Sequence, residues 1–154
     1  MDNDILRKFF HAITLFGSPL FYAPATAYVF SINLNLAINL IVILILTEVV
    51  CAAIKYLYPK ERPIPMPKKT LFQRYLAGSF PSVHTARITS FSIAAAAYYP
   101  NRIFVLIAFL AIISVGYSRI YLKKHYLADV LAGFLIAAII SVLELNIQNY
   151  LNLY

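Results

Sequence analysis

The sequence predicts an all-α integral membrane protein: a helical bundle of about five transmembrane helices preceded by a short N-terminal interfacial helix. First, 62% of the 154 residues are hydrophobic and 12% are charged, about half the charged share of a soluble domain. Second, long apolar runs alternate with turn residues and one polar loop. Third, tyrosines lie at the ends of these runs, as in the aromatic belts of membrane proteins: Tyr56, Tyr58, Tyr98, Tyr99, Tyr121 and Tyr126.

The N-terminal segment has a mixed character. Residues 5–16 combine apolar with basic and polar side chains, which is typical of a helix at the membrane interface. The sequence Gly17-Ser18-Pro19 then interrupts the run, and residues 18–31 are largely apolar. The pattern predicts either one kinked span over residues 5–31 or an interfacial helix followed by the first span.

Four more helices are predicted. Residues 32–58 can cross a hydrocarbon layer of about 30 Å at about 1.5 Å per residue. One long polar loop with five prolines follows, from about Pro59 to Pro81. The remaining helices are expected over residues 82–98, 102–121 and 126 to about 150. We expect one membrane-embedded domain over residues 1–154.

The net charge of +7 has a different meaning in a membrane protein than in a soluble one. No basic run with interleaved aromatic residues is present, so we expect no nucleic-acid partner. Anionic lipid headgroups, a phosphate ligand or topology signals account for such a charge. The bilayer and a small ligand are the expected partners, and no obligatory protein partner is indicated.

The predicted topology brings distant polar residues to one membrane face. The loop after the second helix and the segment before the fifth helix lie on the same side. Three groups of residues meet there: Lys55 and Arg62 in "KYLYPKERP", Ser82, Val83 and His84 in "PSVH", and Ser118, Arg119, His125 and Asp129 in "SRIYLKKHYLAD".

These residue types suit phosphoryl transfer. His125 and Asp129 are four residues apart on one helix face, so the carboxylate can fix the imidazole tautomer and leave a nucleophilic nitrogen. His84 can protonate a leaving oxygen. Three cations, Lys55, Arg62 and Arg119, can clamp a phosphoryl group.

The helix that opens near Ser82 adds its free N–H groups to this anion site. The whole set indicates phosphoryl transfer through a phosphohistidine. We expect no cofactor and no metal, because the cations already neutralise charge. A metal site from His84, His125 and Asp129 is the alternative, but three adjacent cations would repel a divalent ion.

The three motifs K-x6-R-P, P-S-x-H and S-R-x5-H-x3-D resemble the signatures of the type 2 phosphatidic acid phosphatase superfamily, which includes membrane lipid phosphatases and vanadium haloperoxidases. They cover residues 55–129 in the family's order. The resemblance implies His125 as nucleophile, Asp129 as its orienting group and His84 as acid and base. It also implies phosphate binding by Lys55, Arg62, Ser82, Val83, Ser118 and Arg119.

Val83 departs from the family pattern, which usually has glycine there. Valine does not easily adopt positive φ, so an ordinary helical or extended backbone is expected. Its N–H group can still donate to phosphate, while its side chain can narrow the pocket.

A minimal chain of this kind resembles the small prokaryotic lipid phosphatases. We expect a polyprenyl diphosphate as substrate, with phosphatidylglycerophosphate or phosphatidic acid as alternatives. A haloperoxidase-like enzyme and a non-catalytic membrane protein are the alternatives from other classes. The apolar composition argues against the first, and the complete set His84, His125 and Asp129 argues against the second.

The side of the membrane that carries the site is predicted inconsistently. The positive-inside rule applied to the basic residues near the site puts it in the cytoplasm, whereas the bacterial relatives more often act on the outer face. Basic residues near the site can also serve substrate attraction. We expect an extracytoplasmic site in a multi-pass cell-membrane protein.

Glu48 and Arg87 are ionisable residues that fall inside neighbouring predicted helices and outside the motifs. Glu48 lies seven residues before Lys55, and Arg87 lies three residues after His84. Because their helices run antiparallel from the active-site face, the two residues have similar depths at about 1.5 Å per residue. We therefore expect a buried Glu48–Arg87 ion pair beneath the phosphate site. In the alternative, Arg87 extends to the headgroups and Glu48 is protonated.

Overall fold

The computed structural model describes residues 4–150, which form seven α-helices and no strands. The helices are α1 (Asp4–Thr14), α2 (Pro19–Ile32), α3 (Leu34–Leu57), α4 (Leu71–Ala77), α5 (Val83–Tyr98), α6 (Arg102–Tyr121) and α7 (Leu127–Tyr150), with a 3₁₀ turn at Leu15–Gly17. The prediction of an all-α membrane protein is confirmed.

Three helices are long and apolar enough to cross a membrane: α3, α6 and α7. The pair formed by residues 4–17 and α2 makes a fourth candidate span, bent by 46° at the break near Ser18. The predicted third span, α5, has 16 residues and does not belong to this set. The count of about five spans is therefore approximate.

Helix α5 occupies the middle of the bundle, where it packs against α3, α6 and α7. Its buried positions are mostly small, including Ala86, Thr89, Ser90 and Ala94. Small residues let helix backbones approach closely when lipid supplies no hydrophobic force between helices. A helix enclosed by protein in this way needs neither the length nor the apolarity of one that faces lipid.

The outer faces of the long helices are apolar and exposed. Ile45 on α3, Ile107 on α6 and Ile139 on α7 are each more than half exposed. Contiguous apolar surface of this kind suits contact with acyl chains rather than water.

Polar side chains determine where several helices begin. The Asn33 side chain accepts a hydrogen bond from the Leu36 N–H at 2.9 Å, which ends α2 and starts α3. Asn101 does the same for α6, accepting from the Ile103 N–H at 2.9 Å. Such caps satisfy N–H groups that the helix itself leaves free.

The long polar loop contains a helix that the sequence did not lead us to expect. Helix α4 begins with a capping box, in which the Thr70 side chain accepts from the Gln73 N–H and the Gln73 side chain accepts from the Thr70 N–H. The expectation of an unbroken loop from Pro59 to Pro81 was wrong for residues 71–77. A Thr followed three residues later by Gln is a recognised helix start, so the signal was present.

Candidate active site

The three motifs lie together at one end of the bundle. Lys55 is near the end of α3, Ser82 caps α5, Arg119 is near the end of α6 and Asp129 is in the first turn of α7. A cavity of about 70 Å³ is lined by residues from α3, the polar loop, α4, α5 and the turn before α7: Lys55, Arg62, Tyr75, Leu76, Val83, His84, Arg87 and His125.

His125 is buried in the turn between α6 and α7. Lys123, with φ of 53°, is the one non-glycine residue among 4–150 with a positive φ, and it reverses the chain there. The His125 N–H donates to the Arg119 carbonyl at 3.2 Å. The turn therefore places the His125 backbone next to that of Arg119, and the imidazole lines the cavity.

The tautomer of His125 is fixed by a backbone carbonyl. His125 Nδ1 lies 2.6 Å from the Ser79 carbonyl oxygen, which can only accept, so Nδ1 carries the proton. Asp129 was expected to make this bond, but its Oδ2 is 3.8 Å from Nδ1, beyond hydrogen-bonding distance. Asp129 acts on the ring through its charge, and Nε2 keeps its lone pair.

The charge state of His125 follows from its surroundings. Burial, reinforced by the nearby charges of Arg62 and Arg119 and opposed by Asp129, lowers the pKa of His125 to about 4. The imidazole is therefore neutral at pH 7, as a nitrogen nucleophile requires.

Asp129 is held by three contacts. Its Oδ1 accepts from Lys60 Nζ at 2.7 Å, and its Oδ2 accepts from the Tyr126 N–H at 2.8 Å. The second bond caps the start of α7. The Asp129 carbonyl also accepts from the Ser82 N–H at 2.8 Å, so one residue joins the starts of α5 and α7.

Lys55 is buried and donates to the Gly78 carbonyl. The next carbonyl along the chain, that of Ser79, holds His125. Consecutive carbonyls after α4 therefore position one residue from the first motif and one from the third. A lysine has three donors, so Lys55 can still bind a phosphate oxygen.

Both arginines of the motifs have buried donors. Arg62 Nε and Arg119 Nε have no hydrogen-bond partner within residues 4–150. Burial lowers the pKa of Arg62, while Asp129 opposes this. A buried unpaired donor is costly, and an anion with several acceptor oxygens would satisfy both groups.

The second motif opens α5 as expected. Val83 is the first helical residue, and its φ is not positive, so the replacement of the family's usual glycine needs no unusual backbone. Ser82 is buried and makes no side-chain cap, which leaves the first N–H groups of α5 available to an anion. His84 follows and lines the cavity with His125.

A glycine on α7 allows the starts of α5 and α7 to approach each other. An ideal Cβ at Gly133 would overlap the Ser82 carbonyl oxygen and lie 3.2 Å from the carbonyl carbon. A side chain at this position would push the start of α5 away from α7. The sequence patterns did not single out Gly133.

Ser118 does not point its proton at the cavity. Its hydroxyl lies 2.7 Å from the Val115 carbonyl oxygen, to which it donates, and 2.9 Å from Thr14 Oγ1. The expected phosphate contact of Ser118 remains a proposal.

Glu48 and Arg87 lie in contact beneath the cavity. Arg87 Nε donates to Glu48 Oε2 and Arg87 Nη2 to Glu48 Oε1, each at 2.9 Å. The Tyr75 hydroxyl of α4 also donates to Glu48. The pair and Tyr75 thus join α3, α4 and α5; α3 carries Lys55, α5 carries His84, and the carbonyls of Gly78 and Ser79 directly follow α4.

The chain is similar to known phosphatases over most of its length. The family model of the PAP2 superfamily matches residues 36–153, more than half of the chain. The undecaprenyl-diphosphatase of Sulfolobus acidocaldarius is 26% identical in an alignment of 141 residues that covers 89% of this chain and 68% of that protein.

Two solved structures share the fold. LpxE of Aquifex aeolicus superposes with a TM-score of 0.79 and 26% identity, covering 92% of this chain and 86% of that one. A transmembrane PAP2-type phosphatidylglycerolphosphate phosphatase of Bacillus subtilis also gives 0.79, at 20% identity, covering 97% and 80%. The chain therefore belongs to the PAP2 superfamily.

Proposed function

We propose that this membrane lipid phosphatase hydrolyses a polyprenyl diphosphate, with His125 as the nucleophile. The observation that carries the proposal is the buried His125 imidazole, whose Nδ1 lies 2.6 Å from the Ser79 carbonyl oxygen and which lines a cavity together with Lys55, Arg62 and His84. With Nδ1 bonded to a carbonyl, Nε2 is the free nitrogen of this imidazole, and the cations that line the same cavity suit a phosphate.

In the first step, Nε2 of His125 attacks the terminal phosphorus. The P–N bond forms while the P–O bond to the lipid leaving group breaks, and His84 donates a proton to that oxygen. In the second step, His84 takes a proton from water, the water oxygen bonds to phosphorus and the P–N bond breaks. His125 leaves as the neutral imidazole, and phosphate is released.

Charge on the transferred group is neutralised by the protein. The proposed ligands are Lys55, the unpaired Nε donors of Arg62 and Arg119, and the N–H groups at the start of α5. Fixed donors in a buried site stabilise charge that develops in the transition state. Ser118 and Ser82 are proposed as further ligands.

The substrate assignment draws on two observations. The relative from Sulfolobus acidocaldarius is an undecaprenyl-diphosphatase, and the exposed faces of α3, α6 and α7 are apolar. A lipid phosphate can therefore reach the site laterally while its chain stays in the bilayer. We propose an extracytoplasmic site.

A substrate panel tests the proposal. The full chain in detergent is given a polyprenyl diphosphate, phosphatidylglycerophosphate and phosphatidic acid, and phosphate release is measured with and without vanadate. We expect the highest kcat/KM for the polyprenyl diphosphate and inhibition by vanadate. A preference for a glycerophospholipid would overturn the substrate assignment, and inactivity on all three would overturn the reaction.

Sidedness needs a separate measurement. Lys68→Cys, placed in a Cys51→Ala background, is exposed to a membrane-impermeant thiol reagent in intact cells. We expect the Lys68→Cys variant to be labelled and the Arg102→Cys variant, whose thiol lies at the other end of the bundle, to remain unlabelled. The reverse pattern would place the site in the cytoplasm.

A further inference from the structure

We propose that the N-terminal arm, residues Asp4–Gly17, forms part of the active site. It positions Arg119 through the Thr14 hydroxyl and His84 through Gly17. The arm precedes residues 36–153, the part of the chain that the family model matches. The inference rests on the proposed phosphatase function and assigns two positioning residues to it.

The Thr14 hydroxyl donates one hydrogen bond and accepts another. The single Ser118 proton is donated to the Val115 carbonyl, so at the 2.9 Å contact Thr14 Oγ1 donates to Ser118 Oγ. The Thr14 oxygen then accepts from Arg119 Nη1 at 3.4 Å. Thr14 thus ties one nitrogen of Arg119 to the helix that carries it.

The hydrogen bond to Thr14 restricts the position of the Arg119 guanidinium. Arg119 Nε is buried without a partner in the described part of the chain, so the group is held at one nitrogen and unsatisfied at another. A guanidinium that is fixed beforehand loses less freedom when it binds phosphate. Thr14 supplies that fixation from outside the three motifs.

Gly17 sets the position of His84 by leaving space. An ideal Cβ at Gly17 would lie 2.7 Å from His84 Cβ and 2.9 Å from the His84 carbonyl oxygen. The φ of Gly17 is not positive, so glycine is required here for close approach and not for backbone freedom. The Gly17 carbonyl also faces Arg87 Nη1 at 3.4 Å.

The arm contributes little to the hydrophobic core. Helix α1 has no buried residue, and Gly17 is the buried residue of the 3₁₀ turn. Phe10 holds the arm to α6, with its ring centroid 4.4 Å from that of Tyr121 and 5.4 Å from that of Tyr117. Within the arm, Thr14 contacts the motif residues Ser118 and Arg119, and Gly17 packs directly against His84.

The first test compares Thr14→Val with Thr14→Ser. Thr47→Val is a matched control, because Thr47 also pairs with a serine hydroxyl at 2.9 Å and that pair includes no motif residue. We expect Thr14→Val to raise KM and the vanadate Ki about tenfold, as loss of a hydrogen bond to a charged group would. Thr14→Ser should restore both, and Thr47→Val should change neither.

The second test uses Gly17→Ala with two substrates. Displacement of His84 should lower kcat at least about tenfold on the lipid, whose leaving oxygen needs a proton, and far less on an aryl phosphate with a good leaving group. Gly116→Ala is the control, since its Cβ would meet a side chain at a similar 2.8 Å, that of Val130, which is not a motif residue. If Gly17→Ala does not accumulate as folded protein, the comparison of Thr14→Val with Thr14→Ser tests the role of the arm.

The outcomes separate the two proposals. An active wild-type enzyme whose Thr14 and Gly17 variants match the Thr47 and Gly116 controls would overturn the role of the arm alone. A wild-type chain inactive on every lipid phosphate would overturn the proposed function, and the role of the arm with it.

Discussion

The Glu48–Arg87 ion pair allows a quantitative prediction. Arg87 is 14% exposed and Glu48 36% exposed, but both line a groove of about 780 Å³ between α2 and α3 whose other walls include Phe30 and Ile45. The exposed part therefore faces an apolar groove and not bulk water. Leaving Arg87 unpaired should cost roughly 2–3 kcal/mol, slightly below the cost of a charge at the centre of a span because of the partial exposure.

Glu48→Gln and Arg87→Met should destabilise the protein to different extents. Glu48→Gln leaves a guanidinium that cannot lose its proton, so it should carry the full cost. Arg87→Met leaves a carboxyl that keeps the Tyr75 hydroxyl as a donor and can be protonated, so it should cost less. The double substitution should destabilise less than Glu48→Gln alone, because no charge is then left unpaired.

Thermal unfolding of the purified variants in detergent measures these changes in stability. At about 2–4 °C per kcal/mol for a chain of this size, Glu48→Gln should lower Tm by roughly 4–12 °C. Glu61→Gln is the matched control: Glu61 pairs with Lys68 at 2.8 Å, but the two side chains are 67% and 39% exposed, which predicts less than about 1 kcal/mol. Equal shifts for Glu48→Gln and Glu61→Gln, or a double variant equal to the sum of the singles, would refute the reasoning.

Three other perturbations test the site. NMR titration of the histidines should give His125 a pKa near 4 rather than the ordinary 6.5. Because the folded state disfavours the protonated imidazole, the free energy of unfolding should fall as the pH drops from 6.5 through 4. A His125 pKa above 6 would contradict the neutral charge state assigned to this residue. Lys60→Met removes the 2.7 Å contact to Asp129 and should lower kcat about tenfold, whereas Lys68→Met should not; equal effects would remove Lys60 from the site. Excess chelator should leave activity nearly intact, because the cations neutralise the phosphate; abolition with rescue by one divalent ion would contradict this.

The sequence was sufficient to predict that the motif residues lie at one end of the bundle. Helix lengths and the position of the polar loop determine which ends share a face, and Lys55, His84 and His125 do line one cavity. The depth of Glu48 and Arg87 followed from helical rise alone. Such inferences need only regular geometry, which the apolar runs specify well.

The missing parts of the site have little or no side-chain signature. The Gly78 and Ser79 carbonyls that hold Lys55 and His125 belong to the backbone, so no residue type indicates them. Their position depends on α4, whose capping box at the start of the helix was present but was obscured by the surrounding prolines. Lys60 looked like any loop lysine, because its partner Asp129 is 69 residues away.

The roles of the N-terminal residues could not be predicted from spacing either. Gly17 appeared as a simple break between helices, and its contact with His84 depends on how the arm folds back. Thr14 is an ordinary polar residue until α6 places Ser118 and Arg119 beside it. Long-range packing of this kind carries no local pattern.

The central claim is that His125 carries the phosphoryl group, and a covalent intermediate tests it most directly. The enzyme is mixed with a polyprenyl diphosphate labelled at its terminal phosphorus, denatured in alkali within the first turnovers and digested for mass spectrometry. We expect an alkali-stable, acid-labile phosphoryl group on the peptide that contains His125, and none in His125→Gln. Label on another residue, or an undiminished amount of label in His125→Gln, would contradict it.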